Sequence, residues 1–439
     1  MIFNSSKYNT DWNTKRLSDL GKFQRGKSRH RPRNDSKLFE HGTYPLVQTG
    51  AVKATNLYIR THEACYNDFG LSQSTIWPEN TLCITIAANI AETALLGYPM
   101  CFPDSIVGFN AYPEESSELF MHYVFTYIRK AIQNSASGSI QDNINIEYLT
   151  GLRFKIPHKT YQDKITEILS SIDKKIELNN RINAELEAMA KTLYEYWFVQ
   201  FDFPDVNGKP YKASGGKMVY NPVLKREIPA NWKVQPITDC CEVVDCLHSK
   251  KPGQRFVSPD YFLLQLENIR DDGLVDVTTK YFVSQEDYSI WTSRIEVKKH
   301  DVVMTNAGRI AAFAQIPSEV KCGIGRNITA IRPYDIGPNY FFSCLSGFYI
   351  QSQILTNLDH GAFFKSFNVK GIKALNIIRP PSAIEGKFEQ LISPLIEKRQ
   401  STILENQKLT SLRDWLLPML MNGQVTVKPS TEPQEAQHG

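Results

Sequence analysis

The chain has 439 residues and a formal net charge of +4, which is long enough for two or three domains with cores of their own and too weakly charged to argue for any partner except through local patches. No run of about 18 apolar residues is present to span a bilayer, and Met1 to Asn9 lacks the apolar stretch of a signal peptide, so a cytoplasmic protein with no membrane partner is expected. The eight cysteines are scattered without a CxxC pair; only Cys240, Cys241 and Cys246 fall close together, and they read as reduced thiols and not as a zinc site.

Residues 1–157 read as a first mixed domain of short strands and turns. Tyr44 to Gln48 and Leu82 to Ile86 are strand-like, and Leu119 to Ile132 reads as a helix. Near its start lies the densest basic run of the chain, Lys22, Arg25, Lys27, Arg29, Arg31, Arg33 and Lys37, with Asp35 the only acid in that span. Such a run suits either a solvated loop or a loop that contacts phosphates, because several cations on one segment can displace counterions from a nucleic-acid backbone.

Residues 158–200 read as one long helix. From Tyr161 to Phe198 there is neither glycine nor proline, and Ile165, Ile168, Ile172, Ile182, Leu186, Met189, Leu193 and Tyr196 recur at three- and four-residue steps, with Lys175 and Asn179 as polar members of the stripe. This is a coiled-coil seam in which a buried amide at Asn179 would fix register. A helix of ~38 residues is roughly 57 Å long and needs a long partner, which the same chain supplies. A displacement of 223 residues brings up Phe388, Leu391, Leu395, Leu409, Leu412, Leu416 and Met419, with Lys398 opposite Lys175, Thr402 in place of Asn179 and Glu405 in place of Ile182. The chain is a duplicated unit.

Residues 201–225 are turn-rich (Phe203-Pro204-Asp205, Asn207-Gly208-Lys209-Pro210, Ser214-Gly215-Gly216) and read as a linker. Residues 226–381 repeat the first domain in outline. Trp232 echoes Trp12, Tyr261 to Gln265 echoes the strand at Tyr44, Arg270 takes the place of Lys53, and Met304-Thr305 echoes Ile84-Thr85, which puts Arg309 where the first copy has Asn89. Gly361 to Pro380 tracks Gly138 to Pro157, sharing Asn145 with Asn368 and Leu152 with Leu375. Residues 382–422 are the second long helix, which Pro418 is expected to kink or end, and 423–439 form a polar, disordered tail.

Little is present to catalyse with. There is no GxxxxGK[ST], no GxGxxG after a strand and no HExxH. Glu296-Val297-Lys298, with Pro259-Asp260 upstream, has the spacing of part of a nuclease carboxylate motif, but an ExK tripeptide is expected by chance in a chain this rich in both residues. Polar loops at repeated positions stand out instead. In the first copy they hold Lys27, Arg29, Arg31, Arg33, Lys53, Asn89, Ser137 and Gln141; in the second they hold Lys250, Lys251, Arg255, Arg270, Arg309, Arg326 and Lys365. Arginine and lysine can pair with guanine edges, asparagine and glutamine with adenine edges, and serine allows close approach to phosphates.

Gly151-Leu152-Arg153-Phe154-Lys155-Ile156-Pro157, Gln162 to Ile172, Leu178-Asn179-Asn180, Leu186-Glu187 and Leu193 to Phe198 resemble the first helical region of the specificity subunits of type I restriction-modification enzymes, and Phe364 to Pro380 with the helix after it resembles the second. The resemblance extends over nearly the whole chain. It implies an α+β fold of two target recognition domains, each reading a few base pairs of one half-site in the major groove, separated by two helices paired as an antiparallel coiled coil. A rod of ~50 Å suits readers placed about one duplex turn, roughly 34 Å, apart. It implies further a non-catalytic chain without a cofactor of its own. S-adenosylmethionine would belong to two modification (methyltransferase) subunits, ATP and Mg to restriction subunits, with Trp197, Phe198 and Trp415 as candidate docking residues. Two readings from other classes stand beside this one: a coiled-coil scaffold with repeated protein-binding modules, and a self-sufficient nuclease acting through Glu296 and Lys298. Steep loss of affinity with salt would mark the DNA reader.

Overall fold

The computed structural model describes residues 2–87, 89–137, 144–318, 320–360 and 365–427; Gln141 and most of the expected tail lie outside them. The chain divides into two compact units, Met1–Leu178 with Asn406–Gly439, and Asn179–Glu405. Each unit therefore contains half of each long helix. Among the described residues no helix is long and apolar enough to cross a membrane.

In the first unit a five-stranded sheet runs in the order Gly21–Arg25, Ile106–Ala111, Leu82–Thr85, Thr93–Leu96, Tyr58–Ile59, antiparallel except for the last pair. The run Leu82–Thr85 is buried along its whole length, as a central strand covered on both faces must be. One face is covered by the helix Glu118–Ser137, whose Phe120, Tyr123, Val124 and Ile128 join Leu82, Ile84, Leu95, Val107 and Phe109 in one core. A smaller sheet combines Ala64–Tyr66, Tyr44–Leu46, Met100–Cys101 and Ile76–Trp77.

The second unit repeats this plan. Cys241–Asp245, Ile328–Pro333, Val302–Thr305 and Phe313–Gln315 form the larger sheet; Tyr281–Phe282, Phe262–Leu264 and Gly323–Ile324 form the smaller, again with one parallel pair. The repetition reaches individual hydrogen bonds. Thr85 and Thr305 each accept, on the hydroxyl, an N–H seven residues later, from Glu92 and Ala312 (3.0 and 3.1 Å), across a turn in which Ala91 and Ala311 both have φ of +61°. Leu17 and Ile237 donate to the carbonyls of Leu152 and Leu375 (3.0 and 2.9 Å). Asn145 and Asn368 are both helix N-caps, accepting from Tyr148 and Gly371 at 2.8 Å. The shared asparagines and leucines are thus scaffold, since they satisfy backbone groups that every copy must satisfy.

The first long helix spans Lys159–Tyr194 and ends in a wider turn, Glu195–Val199; the second spans Ser382–Met421. Within each unit their halves run antiparallel. In the second unit Asn179 donates to Glu405 (2.8 Å) and Arg399 to Glu187 (2.6 Å); in the first, Arg413 donates to Asp173 (2.9 Å) and the Tyr161 hydroxyl to Val425 (3.4 Å). Asn179 is 1% exposed, and Glu405 satisfies its amide from the partner helix. A polar residue in place of Ile182 is thereby explained.

The seam differs in part from the expected stripe. Ile165, Ile172 and Phe388 are buried, Leu186, Leu193, Leu395, Leu409 and Leu416 half-buried, but Met189, Leu391 and Leu412 are about half exposed and Tyr196 lies outward, while Leu169, Ile176 and Ile392 are buried instead. The helix ends belong to the unit cores, which rotates the buried face away from a strict two-stranded seam. Trp197 and Phe198, expected as docking residues, are 4% and 1% exposed and pack on Phe388 and Trp232; Trp415 is open. Pro418 does not end its helix, which runs three residues further; what its missing N–H removes is the one bond to the carbonyl of Asp414, in the turn before it. The segment expected as a linker is anchored, with Phe201 and Phe203 buried against Trp232 and a hairpin pairing Met218–Asn221 with Arg226–Pro229.

Candidate nucleic-acid interface

The basic run leaves the larger sheet at Arg25. Gly26, at its start, sits so close to Phe102 and Pro103 that a Cβ would lie 2.4 Å from a backbone oxygen. Beyond it Lys27 and Arg29 are exposed, and the Arg29 N–H donates to Gln73 (3.4 Å). Arg31 is pinned to the carbonyls of Ser28 (2.5 Å) and His30 (2.8 Å), and both Arg31 and Arg33 meet Asp104. His30 hydrogen-bonds Asp35 at 2.8 Å and holds its carboxyl below the ordinary range. The loop therefore carries two acids, Asp35 from the run itself and Asp104 from a distant turn, against the exposed cations Lys22, Arg25, Lys27, Arg29, Arg31, Arg33 and Lys37.

Lys53 lies on the short helix Thr49–Ala54 and Asn89 in the turn after Leu82–Thr85; they meet, Lys53 Nζ donating to Asn89 Oδ1 at 3.2 Å. The Thr85 hydroxyl donates to the Asn89 carbonyl and fixes that turn. In the second unit Gln265 stands where Gln48 does, each preceding a helical turn. The two counterpart positions hold arginines, each beside one of two adjacent acids: Arg270 on Asp272 (2.6 Å) and Arg309 on Asp271 (3.5 Å). The same pair of scaffold positions is thus brought to one surface in both copies, with a Lys–Asn pair in one and an Arg–Asp pair of pairs in the other.

Elsewhere in the second unit Lys250 is exposed, Lys251 lies 4.0 Å from the Tyr281 ring centroid, and the Arg255 N–H donates to Phe282 (2.9 Å). Arg326 is exposed beside Asn327, whose φ is +63°. Ser137 closes its helix and Lys365 lies in the short strand Lys365–Ser366, but their side chains are outside the described set, as is Gln141. The acids Asp104, Asp271 and Asp272 were not singled out in the sequence. Asp271 and Asp272 directly follow Arg270 and were legible there; Asp104 was not.

Glu296 takes a structural part: its carboxylate accepts the Tyr288 hydroxyl (2.8 Å) and its carbonyl accepts from Arg332 (2.8 Å), while the Lys298 N–H donates to Asp301 (2.9 Å). Among the described residues Cys246 is the one cysteine in a cluster of metal-ligand atoms, with Asp245 and His248, and there the His248 ring is hydrogen-bonded to Asp245 at 2.8 Å.

Residues 9–188 match the family of type I restriction modification DNA specificity domains. Over 95% of its length the chain is 24% identical to the type I restriction enzyme MjaIX specificity subunit of Methanocaldococcus jannaschii, covering 94% of that protein. It is 22% identical to the HindI specificity subunit of Haemophilus influenzae, covering all of it. Among solved structures, the S subunit of a type I restriction-modification system from M. genitalium superposes with a TM-score of 0.58 at 15% identity, covering 96% of this chain and 99% of that one. Residues 9–188 thus carry a type I restriction modification DNA specificity domain, and over nearly its whole length the chain is similar to specificity subunits of type I restriction enzymes.

Proposed function

We propose that each unit reads one half of a bipartite, asymmetric duplex DNA site in the major groove, and that this chain carries no reaction step itself. Methyl transfer from S-adenosylmethionine falls to two modification subunits and cleavage driven by ATP and Mg to restriction subunits, all acting in the cytoplasm. One observation carries the reading: two copies of one scaffold present the same pair of positions on their surfaces, Lys53 with Asn89 and Arg270 with Arg309, furnished with different side chains. Conserved geometry with changed donors and acceptors is what two different half-sites require, because base edges in the major groove differ only in their pattern of donors, acceptors and methyl groups. The Lys27 to Arg33 loop and the Lys250 to Arg255 loop supply phosphate contacts that position the readers without specifying sequence.

The test is to co-express the chain with its methyltransferase subunits and map N6-methyladenine across the host genome by single-molecule sequencing. A single motif of two short defined halves and a fixed undefined gap, lost when this chain is deleted, is the expected result. Methylation that persists without the chain would exclude the assignment and favour a protein-binding scaffold.

A further inference from the structure

Three phenylalanines are largely exposed among the described residues: Phe69, Phe256 and Phe348. One of them stands beside the first basic loop and another in the second. Phe69 lies on the short helix Asp68–Ser72, capped by Asn67, whose amide donates to the carbonyls of Lys37 (2.9 Å) and Glu40 (3.0 Å) and so ties the helix to the end of the basic run. His30, from the middle of that run, meets the Phe69 ring edge-on at 5.4 Å. Phe256 follows Arg255 directly. Its ring stands edge-on to Phe282 at 4.9 Å, and the loop behind it is held by the Tyr281 hydroxyl, which donates to Pro252 at 2.7 Å beneath the Lys251 ammonium. In both units one ring meets a single aromatic neighbour edge-on and stays exposed next to a basic loop.

A phenylalanine left in water forgoes the stabilisation of burial. Beside a phosphate-contacting loop it gains a partner when the duplex arrives. The ring has no donor or acceptor, and in the major groove it can recognise one feature, the C5-methyl group of thymine. Resting on the DNA-reading function above, we propose that Phe69 and Phe256 are specificity-determining side chains, one in each unit, each packing on a thymine methyl of the half-site its unit reads. They arrive by different routes, Phe69 from a helix after Ala64–Tyr66 and Phe256 from the loop before Phe262–Leu264, so the thymine falls at different places in the two halves.

Methylation maps from cells carrying Phe69→Ala, Phe256→Ala or Phe348→Ala in the full complex test this. Phe69→Ala relaxes a T·A position in one half only, Phe256→Ala in the other half only, and Phe348→Ala leaves the motif unchanged. With the mapped site as a synthetic duplex and the purified wild-type complex, deoxyuridine in place of that thymine weakens binding about fourfold, roughly the worth of one buried methyl group. The matching alanine variant binds both duplexes equally. If an alanine variant abolishes all methylation, the deoxyuridine duplexes still decide with wild-type protein. Equal binding of thymine and deoxyuridine duplexes by the wild type, or an unchanged motif in both variants, overturns the assignment and leaves the DNA-reading function standing. Absence of any chain-dependent motif in the wild type would remove that function itself.

Discussion

His122 shows how a single side chain ties the first unit to pH. It sits on the helix Glu118–Ser137, 4% exposed, with its Nδ1 3.1 Å from the Thr93 hydroxyl. Burial first, and then the positive charges of Arg129 and Arg413, push its pKa down to about 3. The unfolded chain takes up a proton near pH 6.5 that the folded unit refuses until about 3, so the stabilisation from the neutral ring is complete above 6.5 and is lost as pH falls below it, by about 1.4 kcal/mol per pH unit. His122→Asn keeps a partner for Thr93 and has nothing to titrate. Its melting temperature should fall less steeply than the wild type's between pH 6.5 and 4; parallel slopes would show that the folded unit accommodates the imidazolium.

The long helices are joined by ion pairs of unequal consequence. Asp173 is 4% exposed and accepts from both the Tyr123 hydroxyl (2.6 Å) and Arg413 (2.9 Å). Arg413→Met leaves that carboxylate buried without its cation and should cost about 3–5 kcal/mol in urea denaturation, whereas Asp173→Leu combined with Arg413→Met should recover much of the loss. Glu187, which pairs with Arg399, is half exposed; its replacement by alanine should cost no more than about 1 kcal/mol. Equal losses at the two sites would sink the distinction. At this scale the sequence was informative where local rules act alone. The period of apolar residues located both helices, and Asn145 and Asn368 were visible as a repeated pair because capping is a contact within three residues. Where distant groups decide, it was silent. Nothing near Arg31 announces Asp104, nothing near Asn179 announces Glu405, and the exposure of Met189 and Leu391 follows from how the unit cores take up the helix ends. The spacing of the stripe does not contain that information.

Across the whole molecule the duplication is deeper than sequence identity conveys. The family match covers residues 9–188, yet the turn at Ala311, the cap at Asn368 and the bond from Ile237 to Leu375 reproduce the first copy atom for atom in kind. Surface residues have diverged while the hydrogen bonds that close the scaffold have not, as expected when two copies keep one fold and read different partners. The helices Lys159–Tyr194 and Ser382–Met421 run unbroken through residues 178–179 and 405–406, where the chain divides into its two units. If these helices set the unread gap of the DNA site, their length is a ruler. Seven residues added at both points lengthen each helix by about 10 Å while keeping the same face inward, since seven residues are close to two turns. At about 3.4 Å per base pair the gap should grow by roughly three base pairs with both halves of the motif unchanged. The same insertion in one helix alone should abolish methylation, because the two helices can then keep their register in only one unit: with Asn179 still on Glu405, Arg413 is moved off Asp173 and a buried carboxylate loses its cation. A doubly extended chain that still methylates at the original gap would show that something other than helix length fixes the spacing.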